Sequence, residues 1–179
     1  PWYDTHSYPD LAADLAEVIT PLGRADVMGH SMGGKAAMTL ALTQPDLVRR
    51  LIVVDIAPVT YDHSQIDKID AMESIDLAAL TRRSEADRHL VSLGISKGYA
   101  GFFTQSLDMG ERRWHLNLPV LRKEMDKLTG FPDIDATFDG PALFLSGGAS
   151  DYVKSEHRAR IKALFPNAYL AKIPDAGHL

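Results

Sequence analysis

The stretch DVMGHSMGGKAAMTL, Asp26 to Leu40, decides how the rest of the chain is read. Within it, Gly29-His30-Ser31-Met32-Gly33 sets a serine between two glycines, each two residues away. Ala25-Asp26-Val27-Met28 reads as a short strand, and Lys35 to Gln44 reads as a helix stopped near Pro45. A serine on such a strand-turn-helix is lifted clear of the backbone, and the helix N-terminus behind it supplies N–H groups and a favourable dipole. Ser31 is therefore a candidate nucleophile, and the N–H of Met32 is the natural oxyanion donor. A phosphate-binding loop would need Gly-x-x-x-x-Gly-Lys-Ser/Thr, whereas Lys35 is followed by alanine.

Outward from the elbow, strand and helix patterns alternate. Residues 8 to 22 place Leu11, Leu15, Val18, Ile19 and Leu22 at helical spacing, with Pro9 in the first turn. Leu51-Ile52-Val53-Val54 fits a buried parallel strand, as does Ala142-Leu143-Phe144-Leu145. Ser155 to Phe165 reads as a helix and Ala168 to Ile173 as a last strand. This order argues an α/β fold with a mostly parallel sheet. Between Tyr61 and Asp139 no buried strand is evident. Helical periodicity runs over Ile66 to Leu80, Glu85 to Leu93 and Pro119 to Leu128, with glycines breaking the region. The expected organisation is a core segment at 1–60, a helical cap insertion at 61–139 and a second core segment at 140–179.

A serine nucleophile needs a base, and the base needs an acid to hold its tautomer. Of the seven histidines, His178 follows a strand pattern, in Asp175-Ala176-Gly177-His178, and lies after the serine as the order Ser, acid, His requires. His30 adjoins Ser31 and is expected to pack or hydrogen-bond locally. Two aspartates compete for the acid. Asp55 follows Leu51 to Val54, and Asp151 follows the strand that ends in Ser146-Gly147-Gly148. Local pattern does not choose between them.

Composition narrows the function classes. The chain has 179 residues, a formal charge of −5 and no cysteine. Disulfides, cysteine zinc sites and thiol catalysis are excluded. Scattered Lys and Arg on an acidic background argue against nucleic acid. No apolar run approaches the roughly 18 residues of a membrane span, and no targeting segment is visible, so the cytoplasm is the expected location.

Together these motifs resemble the α/β-hydrolase superfamily, and within it the small bacterial esterases of the YbfF type and their mitochondrial abhydrolase-domain relatives. The resemblance rests on Gly29 to Lys35, Val54-Asp55-Ile56-Ala57-Pro58, Asn117-Leu118-Pro119-Val120-Leu121, Pro141 to Phe144, Gly147-Gly148 with Tyr152-Val153, and Ala176-Gly177-His178. It implies a partial α/β-hydrolase fold with a helical cap, and a serine esterase acting through an acyl-enzyme. It favours Asp55 as the acid, with Asp151 as the alternative: the corresponding loop of the relatives reads Gly-Gly-Asn-Ser-x-Tyr-Val, and here Ala149 replaces the asparagine. It implies no cofactor and no metal, and a small acyl ester of short to medium chain as substrate. Phe102, Phe103, Leu107, Met109 and Trp114 are candidates to line an apolar acyl pocket, ordinary helix packing being the alternative. An acyl-CoA thioesterase or a C–C bond hydrolase would use the same three residues. A dehalogenase or epoxide hydrolase would carry aspartate in place of Ser31. A non-catalytic binding protein would be expected to have lost one of the three. The family also has earlier strands, whose His-Gly loop gives a second oxyanion donor, and a closing helix, often with an aromatic beside the histidine where Leu179 stands. The chain is thus expected to be an internal piece of a longer protein, with Pro1-Trp2 just before the first helix, and inactive or unstable when isolated.

Overall fold

Ser7 begins the ordered path into the sheet. Its hydroxyl caps the N–H of Asp10 while its own N–H donates to the Asp10 carboxylate at 2.9 Å, a reciprocal box that starts helix α1, Tyr8–Ile19. A computed structural model describes residues 3–178. The expectations for Pro1, Trp2 and Leu179 lie outside the described residues. After α1 come β1 (Ala25–His30), α2 (Met32–Thr43) and β2 (Val48–Val54). The middle of the chain holds α3 (Ile66–Glu73), α4 (Arg83–Ser92), α5 (Lys97–Thr104), the two-residue strands β3 (Leu107–Asp108) and β4 (Arg113–Trp114), and α6 (Leu118–Lys123). Next are α7 (Met125–Thr129), β5 (Ala142–Gly147), α8 (His157–Leu164) and β6 (Ala168–Ile173).

The chain divides into two units. The larger comprises Thr5–Asp62 and the residues from Lys127 on. Its sheet runs β1-β2-β5-β6, every neighbouring pair parallel. Parallel strands bring all their C-terminal ends to one edge. In this register His30 stands beside Val54, so the residues that follow, Ser31 and Asp55, emerge together. Helix α2 is buried from Gly34 through Leu42 without a break. A helix covered on all sides must satisfy its polar groups internally. Thr39 does so by donating its hydroxyl to the carbonyl of Lys35 at 2.8 Å, and Thr43 does the same to Thr39 at 2.8 Å. Met38, Leu40, Leu51, Val53, Phe144, Ile161 and Phe165 fill the core.

The smaller unit comprises His63–Asp126 with Tyr3 and Asp4. It has its own core, built from Ile69, Met72, Leu90, Ala100, Leu107, Trp114 and Leu118 among others. Three helical spans differ from the sequence pattern. The segment read as Ile66 to Leu80 stops at Glu73, because the carboxylate of Asp76 accepts the N–H of Ala78 at 3.1 Å and turns the chain. The segment read as Pro119 to Leu128 breaks at Glu124, whose backbone (φ −95°, ψ 7°) leaves the helical region. Helix α5 was masked in the sequence by Gly98 and Gly101; Ser96 caps it, and Ala100 and Phe103 bury its apolar side in the core.

Candidate active site

The elbow forms because two glycines let backbones touch. A side chain on Gly29 would place its first carbon 2.2 Å from the carbonyl oxygen of Gly33, and one on Gly34 would meet Ile56 at 2.6 Å. Gly33, the second glycine of the motif, has open space where a side chain would go. The packing glycine is thus Gly34, one position beyond the pattern. Between them Ser31 takes φ 52° and ψ −124°, a conformation non-glycine residues rarely hold. It is pinned by its own N–H, which donates to the Val54 carbonyl at 3.0 Å, and by its carbonyl, which accepts from Gly34 and Lys35. Met32 opens α2, so its N–H precedes the first intrahelical bonds and sits at the positive end of the helix.

The structure brings Ser31, Asp55 and His178 together in the larger unit. His178 Nε2 lies 2.9 Å from Ser31 Oγ, and His178 Nδ1 lies 2.8 Å from Asp55 Oδ2. His178 follows β6, as Asp55 follows β2 and Ser31 follows β1, so three strand ends converge. The imidazole is 12% exposed. Asp55, at 3% exposure, would be an expensive buried charge without donors. It accepts the N–H of Gly147 at 2.9 Å, the hydroxyl of Ser150, and His178. Burial pushes its carboxyl up, and the hydrogen bonds from Ser150, Gly147 and His178 outweigh burial and hold it below the ordinary carboxylate value. Asp151, the alternative acid, is exposed on the loop after β5.

Several neighbours of this line carried no signal at the level of pattern. Ser150 is a third donor to the acid. Tyr152 lays its ring on the imidazole of His178, 3.7 Å between centroids and 12° from parallel. His30, expected to pack or hydrogen-bond locally, packs and bonds across the site to His178. Its Nε2 donates to the carbonyl of His178 at 2.8 Å, with the rings 4.7 Å apart. Tyr61 OH accepts the N–H of Ala57 at 3.0 Å and donates to the carbonyl of Tyr152 at 2.7 Å. Of these neighbours, Tyr152 belongs to a segment that carries the resemblance, whereas Tyr61 does not.

The proposed pocket residues lie in the smaller unit. Leu107 and Trp114 pair across β3 and β4 and are buried in that unit's core, Phe103 packs against it, and Phe102 is 57% exposed. Two open clefts of about 430 and 370 Å³ also lie there, the second lined in part by Trp114; neither includes Ser31, Asp55 or His178. Among the described residues no cluster of three or more His, Asp or Glu could hold a metal ion, and no helix is long and apolar enough to cross a membrane.

The model of the alpha/beta hydrolase family matches residues 1–179. The chain belongs to that family. Within the family it is 41% identical over 182 residues to sn-1-specific diacylglycerol lipase ABHD11 of Mus musculus, across 96% of this chain and 59% of that protein. It is 35% identical over 175 residues to esterase YbfF of Escherichia coli strain K12, across 96% of this chain and 68% of that protein. A solved marine microorganism esterase superposes with a TM-score of 0.92 at 36% identity, covering 99% of this chain and 73% of its own. The chain thus spans about three fifths of the length of the lipase relative. The α/β-hydrolase fold expected from the sequence is the fold observed.

Proposed function

We propose that the protein carrying this chain is a serine hydrolase that cleaves carboxylic esters, with Ser31 as nucleophile, His178 as base and Asp55 as orienting acid. The observation that carries this reading is the unbroken hydrogen-bond line from Ser31 Oγ through both imidazole nitrogens to Asp55 Oδ2. The names of the relatives, an esterase and a diacylglycerol lipase, agree in bond type.

In this reading Nε2 of His178 takes the Ser31 proton as Oγ attacks the ester carbonyl. The new C–O bond pushes the carbonyl electrons onto oxygen, and the Met32 N–H stabilises that oxyanion. His178 then gives the proton to the leaving alcohol, and an acyl-enzyme remains on Ser31. A water, deprotonated by the same imidazole, attacks the acyl carbon; the bond to Ser31 Oγ then breaks, that oxygen takes the proton back from His178, and the acid is released. At each proton transfer Asp55 stabilises the imidazolium and keeps Nδ1 protonated, so that Nε2 faces the serine. The acyl group in this reading is short to medium.

The test follows p-nitrophenyl acetate and butyrate hydrolysis by the complete gene product, beside Ser31→Ala and His178→Ala. Both variants are expected to lose at least about a thousandfold in kcat, as for members of a serine triad. A fluorophosphonate is expected to label the wild type at Ser31. Activity retained in Ser31→Ala sinks the reading. Labelling at Ser31 with turnover of acyl-CoA but not of esters keeps the nucleophile and reassigns the acyl donor to a thioester.

A further inference from the structure

Asp55, Ala57, Tyr61, Tyr152 and Ser150 form a closed ring of contacts within the larger unit. From Asp55 the chain runs two residues to Ala57, whose N–H donates to Tyr61 OH at 3.0 Å. Tyr61 OH donates to the Tyr152 carbonyl at 2.7 Å. The N–H of Tyr152 donates to Ser150 Oγ at 3.3 Å, and Ser150 Oγ donates back to Asp55. His178 touches this ring twice, through Asp55 Oδ2 and through the face of Tyr152. We propose that Tyr61 is a positioning residue for the base and the acid at once, acting on His178 through the Tyr152 ring and on Asp55 through the backbone at Ala57. The proposal rests on the triad reading above.

Two features of Asp55 and His178 make such a brace necessary. Asp55 sits at φ 51°, a left-handed conformation that a non-glycine residue keeps only when its surroundings hold it. The N–H of Ala57 tied to Tyr61 is one such hold. His178 must accept and return a proton without turning, and a ring lying parallel on it blocks rotation and favours the imidazolium. That ring is only as well placed as its backbone, and Tyr61 and Ser150 hold the backbone of Tyr152 from its two sides.

Tyr61 is itself anchored from behind. Its N–H donates to the Thr129 carbonyl at 3.0 Å, and its ring faces the Lys35 ammonium at 4.7 Å. Lys35 is 1% exposed and donates to the carbonyls of Val59, Thr129 and Gly130 at 2.9, 2.8 and 2.5 Å. Lys35 stands four residues after Ser31 on α2, so the same assembly ties the nucleophile's helix to the acid's loop. Burial above all, with the charge of Asp55 adding to it, pushes the Tyr61 hydroxyl up to about 12. It therefore stays protonated and remains a donor to Tyr152 under ordinary assay conditions.

The test uses the complete gene product with p-nitrophenyl butyrate, comparing wild type, Tyr61→Phe, Tyr152→Leu and the double variant, all labelled in parallel with a fluorophosphonate. Tyr61→Phe keeps the ring over Lys35 and removes one oxygen. Its kcat is expected to fall on the order of tenfold with KM within about twofold, because a displaced base slows chemistry rather than binding. The double variant is expected to cost less than the product of the two single losses, since the arm through Tyr152 is shared while the arm from Tyr61 to Asp55 through Ala57 is not. Losses that multiply, or an unchanged kcat in Tyr61→Phe, overturn the proposal. Tyr152→Leu keeps both backbone bonds of Tyr152 and removes only the ring, so it remains informative if Tyr61→Phe fails to fold; a wild-type kcat in Tyr152→Leu also overturns the proposal. Failure of the triad reading has a different signature, namely no labelling of the wild type at Ser31 or activity that survives Ser31→Ala.

Discussion

Replacing Asp55 by asparagine exchanges one oxygen for an amide nitrogen, and the surrounding donors dictate where that nitrogen goes. Oδ1 faces the backbone N–H of Gly147 at 2.9 Å, a donor that cannot turn away. The amide oxygen must stay there, which puts the NH2 group opposite Ser150 and His178. The Ser150 hydroxyl can rotate to accept. The imidazole can accept at Nδ1 only by moving its proton to Nε2, which lies 2.9 Å from Ser31 Oγ. A protonated Nε2 cannot take the serine proton. In the serine protease template this wrong tautomer costs about 10⁴-fold in kcat. At about 1.4 kcal/mol per tenfold, that is roughly 5.5 kcal/mol of barrier. The expected result for Asp55→Asn is a loss of that order in p-nitrophenyl butyrate turnover, with a parallel drop in the rate of fluorophosphonate labelling. Asp151→Asn, at an exposed position, is expected to stay within about twofold of wild type. If Asp151→Asn is the crippled variant and Asp55→Asn retains most of its activity, the tautomer argument and the assignment of Asp55 are both refuted.

Ser31→Gly and Ser31→Ala lose the same hydroxyl, but glycine holds φ 52° without strain while alanine keeps the strain that serine bears; Ser31→Gly is expected to be the more stable by about 1 kcal/mol, a Tm gap of roughly 2–4 °C in thermal melts, and equal melting points would show that the elbow is unstrained. Gly29→Ala is expected to unfold the elbow because its new carbon would lie 2.2 Å from the Gly33 oxygen, while Gly33→Ala, into open space within a helix, is expected to keep or raise the Tm. Lys35→Met strands three carbonyl acceptors. Burial pushes the ammonium down to about 7, yet only the charged form has three donors for three carbonyls, so its loss is expected to cost about 3 kcal/mol or more in urea unfolding. The Asp55 carboxyl is held below its ordinary 3.8, so the folded state resists its protonation more than the unfolded state does. Its stabilisation is whole above the ordinary value and lost as pH falls through the folded one, so the Tm advantage of wild type over Asp55→Asn is expected to be largest above about pH 5 and to shrink in acid; an advantage that grows on acidification reverses the sign and refutes the linkage.

The parts of the fold that could be read from the sequence are those governed by local rules. The glycine spacing around Ser31 specifies a tight turn, and the apolar run at Leu51 to Val54 specifies a parallel strand, buried at Leu51 and Val53 and half-buried at Ile52 and Val54. What stayed hidden depends on tertiary contact. Helix α5 carries two glycines that propensity counts against it, and the Ser96 cap with the packing of Ala100 and Phe103 offsets that cost. Strands β3 and β4 hold two residues each, too few for any period to register. The site divides in the same way. Ser31 and His178 were marked by following strands in the right order. Asp55 and Asp151 also both follow strands, and what separates them is burial and donors, which chain order does not encode. Ser150 and Tyr61 act through partners 95 and 91 residues away, so no window of sequence holds both ends of either contact.

The sheet order explains why the acid of the proposed triad sits after β2. Strand β2 lies between β1, which delivers Ser31, and β5, whose following loop runs through Gly147 and Ser150. A carboxylate at the end of β2 is therefore flanked by the nucleophile on one side and by two donors on the other. Gly147 and Ser150 each give the carboxylate a hydrogen bond, and His178 gives the third. In this arrangement the loop after β5 contributes donors, and a second carboxylate turned into the same space would meet a like charge where little water screens it. An exposed Asp151 and a buried, depressed Asp55 are then two consequences of one electrostatic constraint: the pocket beside His178 has donors for a single negative charge, and the residue nearest the serine's strand holds it.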